Sequence, residues 1–186
     1  MKKFPFYELI KTLCNQGEIV EFYSYSGENG HFAVGEIVDC SQDAIVIHAI
    51  NELGFDDGFF LGRTHDICKI SINTPYVDNI KRLYRMKKKT FCATNKAIDD
   101  KTNLLDAYIR CMLENKEIVT CSLYDNSCMT GYIEDFNNQI VKVYLLGEDG
   151  TFNGYTFFNA KDIETLSFMG LEEKKYSDIL RDRGGC

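Results

Sequence analysis

The sequence predicts a mainly β protein with short flanking helices, built as two tandem five-stranded antiparallel barrels, each preceded by an α-helix. Three observations predict it. The composition favours pleated, half-buried surfaces, the chain repeats itself, and each repeat carries the same succession of a helix and short alternating segments separated by turns.

The 186 residues include 13 Phe and 11 Tyr, with no Trp and two Pro. Aromatic and β-branched side chains fit half-buried sheet faces, and so few prolines leave strands uninterrupted. No apolar run approaches the roughly 20 residues that span a bilayer. Met1-Lys2-Lys3-Phe4-Pro5-Phe6-Tyr7-Glu8 begins with positive charge but lacks the apolar core of a secretory signal, so a cytoplasmic location is expected. The eight cysteines stand at 14, 40, 68, 92, 111, 121, 128 and 186, with no CxxC pair among them. A tetrahedral zinc site usually draws on two close ligand pairs. Buried, reduced thiols are therefore expected, except for Cys186 after Gly184-Gly185, and no cofactor is expected.

The repeat is read by self-comparison. Ile10-Lys11 falls on Ile109-Arg110, and Glu18-Ile19-Val20 on Glu117-Ile118-Val119, at an offset of 99. Past a first loop three residues longer in the N-terminal copy, the offset becomes 96. There Gly35-Glu36-Ile37-Val38-Asp39 lies on Gly131-Tyr132-Ile133-Glu134-Asp135, and Ile45 and Ile47 on Val141 and Val143. Gly54 and Gly58 lie on Gly150 and Gly154, and Asp66-Ile67 on Asp162-Ile163. Beyond that, Tyr76, Asp78 and Ile80 are matched to Tyr176, Asp178 and Leu180 by a further four-residue shift.

Helical spacing of apolar residues marks Phe6 to Asn15 and Leu104 to Glu114. Strands of the first copy are expected near Glu18–Tyr25, Phe32–Cys40, Ala44–Ile50, Phe59–Leu61 and Ile67–Ile72. Turns separate them at Ser26-Gly27-Glu28-Asn29-Gly30, Ser41-Gln42-Asp43 and Asp56-Asp57-Gly58. Hairpin turns favour a meander, and curling into a barrel hides its edges. A closing helix from Tyr76 to about Lys88 is expected to set Tyr76, Ile80, Leu83 and Tyr84 on one face. The copies then occupy residues 1–90 and 104–186, with a polar linker at 91–103; Thr102-Asn103 is placed to cap the second leading helix.

Glu-Ile-Val opening the first strand and Gly-x-Ile-x-Asp in the second resemble the Sm-like fold of the Sm, Lsm and Hfq proteins. That resemblance implies strand pairing between barrels, and RNA binding in many relatives. Sm proteins carry Asp and Asn after the second strand and Arg-Gly after the fourth. The corresponding loops here are Ser41-Gln42-Asp43 and Asn137-Asn138-Gln139, and Leu61-Gly62-Arg63 and Phe158-Asn159-Ala160. The closing Asp-Ile-x-x-Ile rhythm also suits an SH3-like barrel.

Charge disfavours a nucleic-acid partner. Residues 1–84 carry 7 basic and 12 acidic groups, 85–100 carry 5 and 2, and 101–186 carry 9 and 14, summing to the net −7. Each repeat would repel a phosphate polyanion. Arg82, Arg85, Lys87, Lys88 and Lys89 are the one candidate nucleic-acid patch, and they equally suit a solvated helix end.

His31, His48 and His65 all lie in the first copy, without HxH or HxxxH pairing, and read as loop and surface histidines with no metal. No GxSxG, Walker, GxGxxG or HExxH motif occurs. Asp39 and Asp135, like Asp66 and Asp162, recur where turns need a backbone acceptor. No catalytic residue is assigned; a small hydrolase-type enzyme is the least favoured function.

Aromatic residues near the loops carry the favoured one. Tyr23, Tyr25, Phe55, Phe59, Tyr155 and Phe157 are candidate contacts for a partner, since rigid rings bind at low entropic cost. The expected function is a non-catalytic binding or scaffold protein contacting a protein partner, or self-associating through barrel edge strands. RNA binding is the alternative.

Overall fold

The computed structural model describes residues 6–25, 32–87 and 103–184. Among these, 46% lie in strands and 34% in helices, which makes the chain mainly β. It divides into two compact units, Met1–Leu104 and Leu105–Cys186. Linker residues 91–102 lie outside the described residues, and the division falls at the start of the second leading helix.

The first unit opens with α1 (Tyr7–Gln16), which turns its apolar positions Tyr7, Ile10 and Leu13 inward and stops at Gly17 in the left-handed conformation, φ 63°. Next come β1 (Ile19–Ser24), β2 (Phe32–Cys40), β3 (Ala44–Ile50) and β4 (Asp56–Arg63). A 3-10 turn at Thr64–Asp66 leads into β5 (Ile67–Ser71), and α2 (Pro75–Lys87) closes the unit. All pairings are antiparallel, and the strand order is β5-β1-β2-β3-β4.

That order corrects the expected barrel. β5 forms no hairpin with β4; the 3-10 turn redirects the chain, and β5 pairs with β1 instead. β4 and β5 end up at opposite ends of the order, leaving a five-stranded sheet whose end strands are not joined.

Both faces of this sheet are covered. On one, Ile10 and Leu13 of α1 meet Val20, Phe22, Ile37, Ile45, Ile47 and Ile67. On the other, Ile80 of α2 joins Val34 and Ile50, flanked by Ile19 and Tyr84. Two-sided cover explains why nearly all of β3 is buried, where simple alternation would expose half of it. The inward face of α2 is Val77 and Ile80, while Tyr76 and Leu83, expected beside them, are exposed.

The second unit repeats this plan with α3 (Leu104–Asn115), β6 (Ile118–Leu123), β7 (Cys128–Asn137), β8 (Ile140–Leu146) and β9 (Phe152–Asn159). A second 3-10 turn at Ala160–Asp162 precedes β10 (Ile163–Phe168) and α4 (Leu171–Asp182). Its order, β10-β6-β7-β8-β9, is the first unit's order position by position. The irregularities repeat as well. β2 shifts register against β3 between Ile37 and Asp39, and β7 against β8 between Ile133 and Asp135. Tyr25 N–H donates to the Asp66 carbonyl, and Tyr124 N–H to that of Asp162.

Gly35 and Gly131 show why a glycine sits at this place in each copy. A Cβ would lie 2.1 Å from the His48 carbonyl oxygen at the first and 1.9 Å from that of Tyr144 at the second, so a side chain would force the strands apart.

At the last helix the structure corrects the repeat. Asp78 N–H donates to the Thr74 carbonyl and Lys174 N–H to that of Gly170, so the offset stays 96 and the four-residue shift disappears. Val77 and Ile80 therefore correspond to Glu173 and Tyr176, the buried residues of α4. A buried carboxylate serves the head of this helix in both units, from different elements. In the first, Glu21 of β1 accepts from the Thr74 hydroxyl at 2.6 Å and the Tyr23 hydroxyl at 2.8 Å. In the second, Glu173 accepts from Gly170 N–H at 2.9 Å. Either way, negative charge sits where helix N–H groups lack partners.

Candidate functional site

The register of the central hairpins brings the chemically distinctive side chains together. Glu36 pairs across from His48, and His48 from Phe59. The same steps in the second unit pair Tyr132 with Tyr144 and Tyr144 with Tyr155. One sheet position has thus diverged, polar in the first copy and aromatic in the second.

In the first unit His48 is 1% exposed, which corrects its expected place at the surface. Its Nε2 lies 3.1 Å from Asp56 Oδ1, an oxygen that also accepts from Gly58 N–H at 2.9 Å. The Phe59 and Tyr84 rings flank the imidazole at 5.5 and 6.2 Å between centroids. Burial pushes the Glu36 carboxyl up, opposed by His48, and raises the Tyr84 phenol with help from Asp56 and Glu36. His48 and Asp56 tie the start of β4 to β3 beneath a lid of rings. Sequence reasoning missed this group because it forms only when β2, β3, β4 and α2 are brought together.

In the second unit the rings reach the surface. Tyr144 touches Phe152 at 4.6 Å and Tyr155 at 5.9 Å, and Phe152 meets Tyr155 at 5.0 Å. The register shift between Tyr144 and Leu146, with Gly154 at φ 96°, brings Phe152 and Tyr155 to the same ring of Tyr144. Lys142, paired opposite Phe157, sets its Nζ 4.1 Å from the Tyr155 ring centroid and forms an ion pair with Glu134. Tyr155 is 47% and Phe157 63% exposed.

These two share β9, whose single neighbour among the described residues is β8. Its sequence, Phe-Asn-Gly-Tyr-Thr-Phe-Phe-Asn, contains no charge and no proline, the usual guards of an open edge. The equivalent positions of β4 differ: Phe59 is 9% exposed and Leu61 is fully buried. Phe59 is therefore removed from the candidate contacts.

The remaining sequence-derived candidates are dispersed. Tyr23 is half-buried, stacked on Phe32 at 5.2 Å, with Lys69 Nζ 3.6 Å above its ring. Tyr25 is exposed at the end of β1, while Phe55 lies in the β3–β4 turn under Lys87 Nζ at 3.3 Å. Arg82, Arg85 and Lys87 are exposed on α2; Lys88 and Lys89 lie outside the described residues, as does His31. Among the described residues no cluster of three or more His, Cys, Asp or Glu side chains is arranged to hold a metal. Of the six described cysteines only Cys121 is buried, which corrects the general expectation of buried thiols. No helix among the described residues is long and apolar enough to cross a membrane.

No protein-family model matches this chain, and no curated protein matches it significantly.

Proposed function

We propose that the protein is a non-catalytic binding or scaffold protein, built from two copies of an Sm-like or SH3-like module, which takes an extended segment of a protein partner along β9. The observation that carries this reading is the β9 edge. An unguarded strand presents main-chain donors and acceptors, and adjacent rings add contact area and choice of side chain. Helix followed by five strands in each copy supports the family resemblance. The burial of Leu61 supports the docking site, because its counterpart Phe157 carries a large apolar ring in the same place with nothing over it.

A photo-crosslinking residue placed at Phe157 tests the reading. It should join the chain to a polypeptide in cell extract, or to a second copy in the purified protein. Tyr155→Lys should weaken that contact by at least about tenfold, the effect of losing a central aromatic anchor. An adduct unaffected by Tyr155→Lys, or no adduct at all, overturns the reading.

A further inference from the structure

Cys14 lies in the last turns of α1, and Cys40 is the last residue of β2, the strand on which α1 packs. Their side chains hydrogen-bond to each other, which sets sulfur beside sulfur. Both rest against the apolar cluster between α1 and the sheet, yet both remain partly exposed. In the second unit the equivalent residues are Leu113 and Phe136, which fill the same helix–strand contact with hydrocarbon. The thiol pair belongs to the first copy alone, and packing does not require it.

We propose that Cys14 and Cys40 form a reversible dithiol–disulfide pair that is oxidised by a small peroxide and, once oxidised, staples α1 to β2. Cys14 is the attacking sulfur. The hydrogen bond from the Cys40 thiol favours its thiolate and lowers its pKa, against burial and the nearby Asp39 and Glu36 carboxylates. The Cys14 thiolate forms an S–O bond as the peroxide O–O bond breaks, giving a sulfenic acid and a hydroxide that takes a proton to become water. Cys40, as thiolate, then attacks that sulfur; the S–O bond breaks, and its oxygen leaves as a second water. Two thiols lose two protons and two electrons, and one peroxide becomes two waters. A low-mass thiol reverses the bond by exchange.

The test uses the full chain and hydrogen peroxide, followed by alkylation of the remaining thiols. Cleavage at glutamates then separates Cys14 from Cys40, and the peptides are weighed. A Cys14–Cys40 linked peptide is expected, while Cys121, which burial pushes up to about 12, stays reduced. In Cys40→Ser, Cys14 should stop at sulfenic acid and be captured by dimedone. Removing the carboxylate with Asp39→Asn should speed Cys14 alkylation at neutral pH several-fold, and Cys40→Ser should slow it, a pair of opposite shifts that a packing role would not produce. Cys14 and Cys40 both recovered as free thiols after the exposed Cys128 has been oxidised, or Cys40 joined to another cysteine, overturns the proposal. The wild-type peptide map decides this even where a variant fails to fold.

Discussion

Single side chains at the surface of this fold hold its turns together. Asp149 is the clearest case. Thr151 donates to its Oδ1 through its N–H at 3.1 Å and its hydroxyl at 2.6 Å, while Arg183, just past α4, reaches Oδ2 at 3.2 Å. The Thr151 bonds first, then Arg183, hold the carboxyl down to about 2, from an ordinary 3.8. A carboxyl depressed on folding stabilises the folded state above its unfolded value and loses that contribution as pH falls through the folded one. Asp149→Asn should thus be less stable than the parent at neutral pH. The gap should close as pH falls from about 4 to 2; urea midpoints across that range check it. A gap independent of pH would mean that the ionised carboxylate contributes nothing.

At the scale of elements, the two copies solve the same local problems with different residues. α1 ends on Gly17 at φ 63°, whereas its counterpart after α3, Lys116, is held at φ 52°. A side chain in the left-handed region costs about 1 kcal/mol, which glycine avoids. Lys116→Gly should raise stability by about 0.5–1 kcal/mol after the greater chain entropy of glycine is counted; thermal denaturation of the two proteins measures it. The divergence of β4 and β9 has another consequence. Asp56-Asp57 opens the first strand and Arg63 ends it, while the second has no charge anywhere. The sites corresponding to the His48–Asp56 pair hold Tyr144 and Phe152. One copy closes its polar group under rings, and the other offers rings to solvent.

For the whole molecule the dominant quantity is charge. A net −7 and a pI near 5.0 oppose a polyanion, and the described candidates for a basic patch are Arg82, Arg85 and Lys87 along α2. Nucleic-acid affinity comes largely from phosphate neutralisation, so the protein should retain no RNA on filters even at about 50 mM salt. Retention that falls steeply with added salt, and is lost in an Arg85→Gln and Lys87→Gln double variant, would install RNA as the partner instead.

Much of this architecture was legible in the residues. Alternating aliphatics, spaced glycines and the recurrent Asp-Ile placed the helices and most strands of both copies, because period-2 and helical patterns answer to local geometry. The route of β5 was not legible, since a 3-10 turn and a tight hairpin draw on similar polar residues, and pairing with β1 is settled by distant strands. Nor were the matching of Val77 with Glu173, the meeting of Glu36 with His48, or the contact of Cys14 with Cys40. The sequence by itself determined that one module occurs twice and where its elements lie. Only the tertiary structure decided which faces are covered, which edge stays open and which side chains share a site, because these depend on cross-strand register and helix docking between residues far apart in the chain.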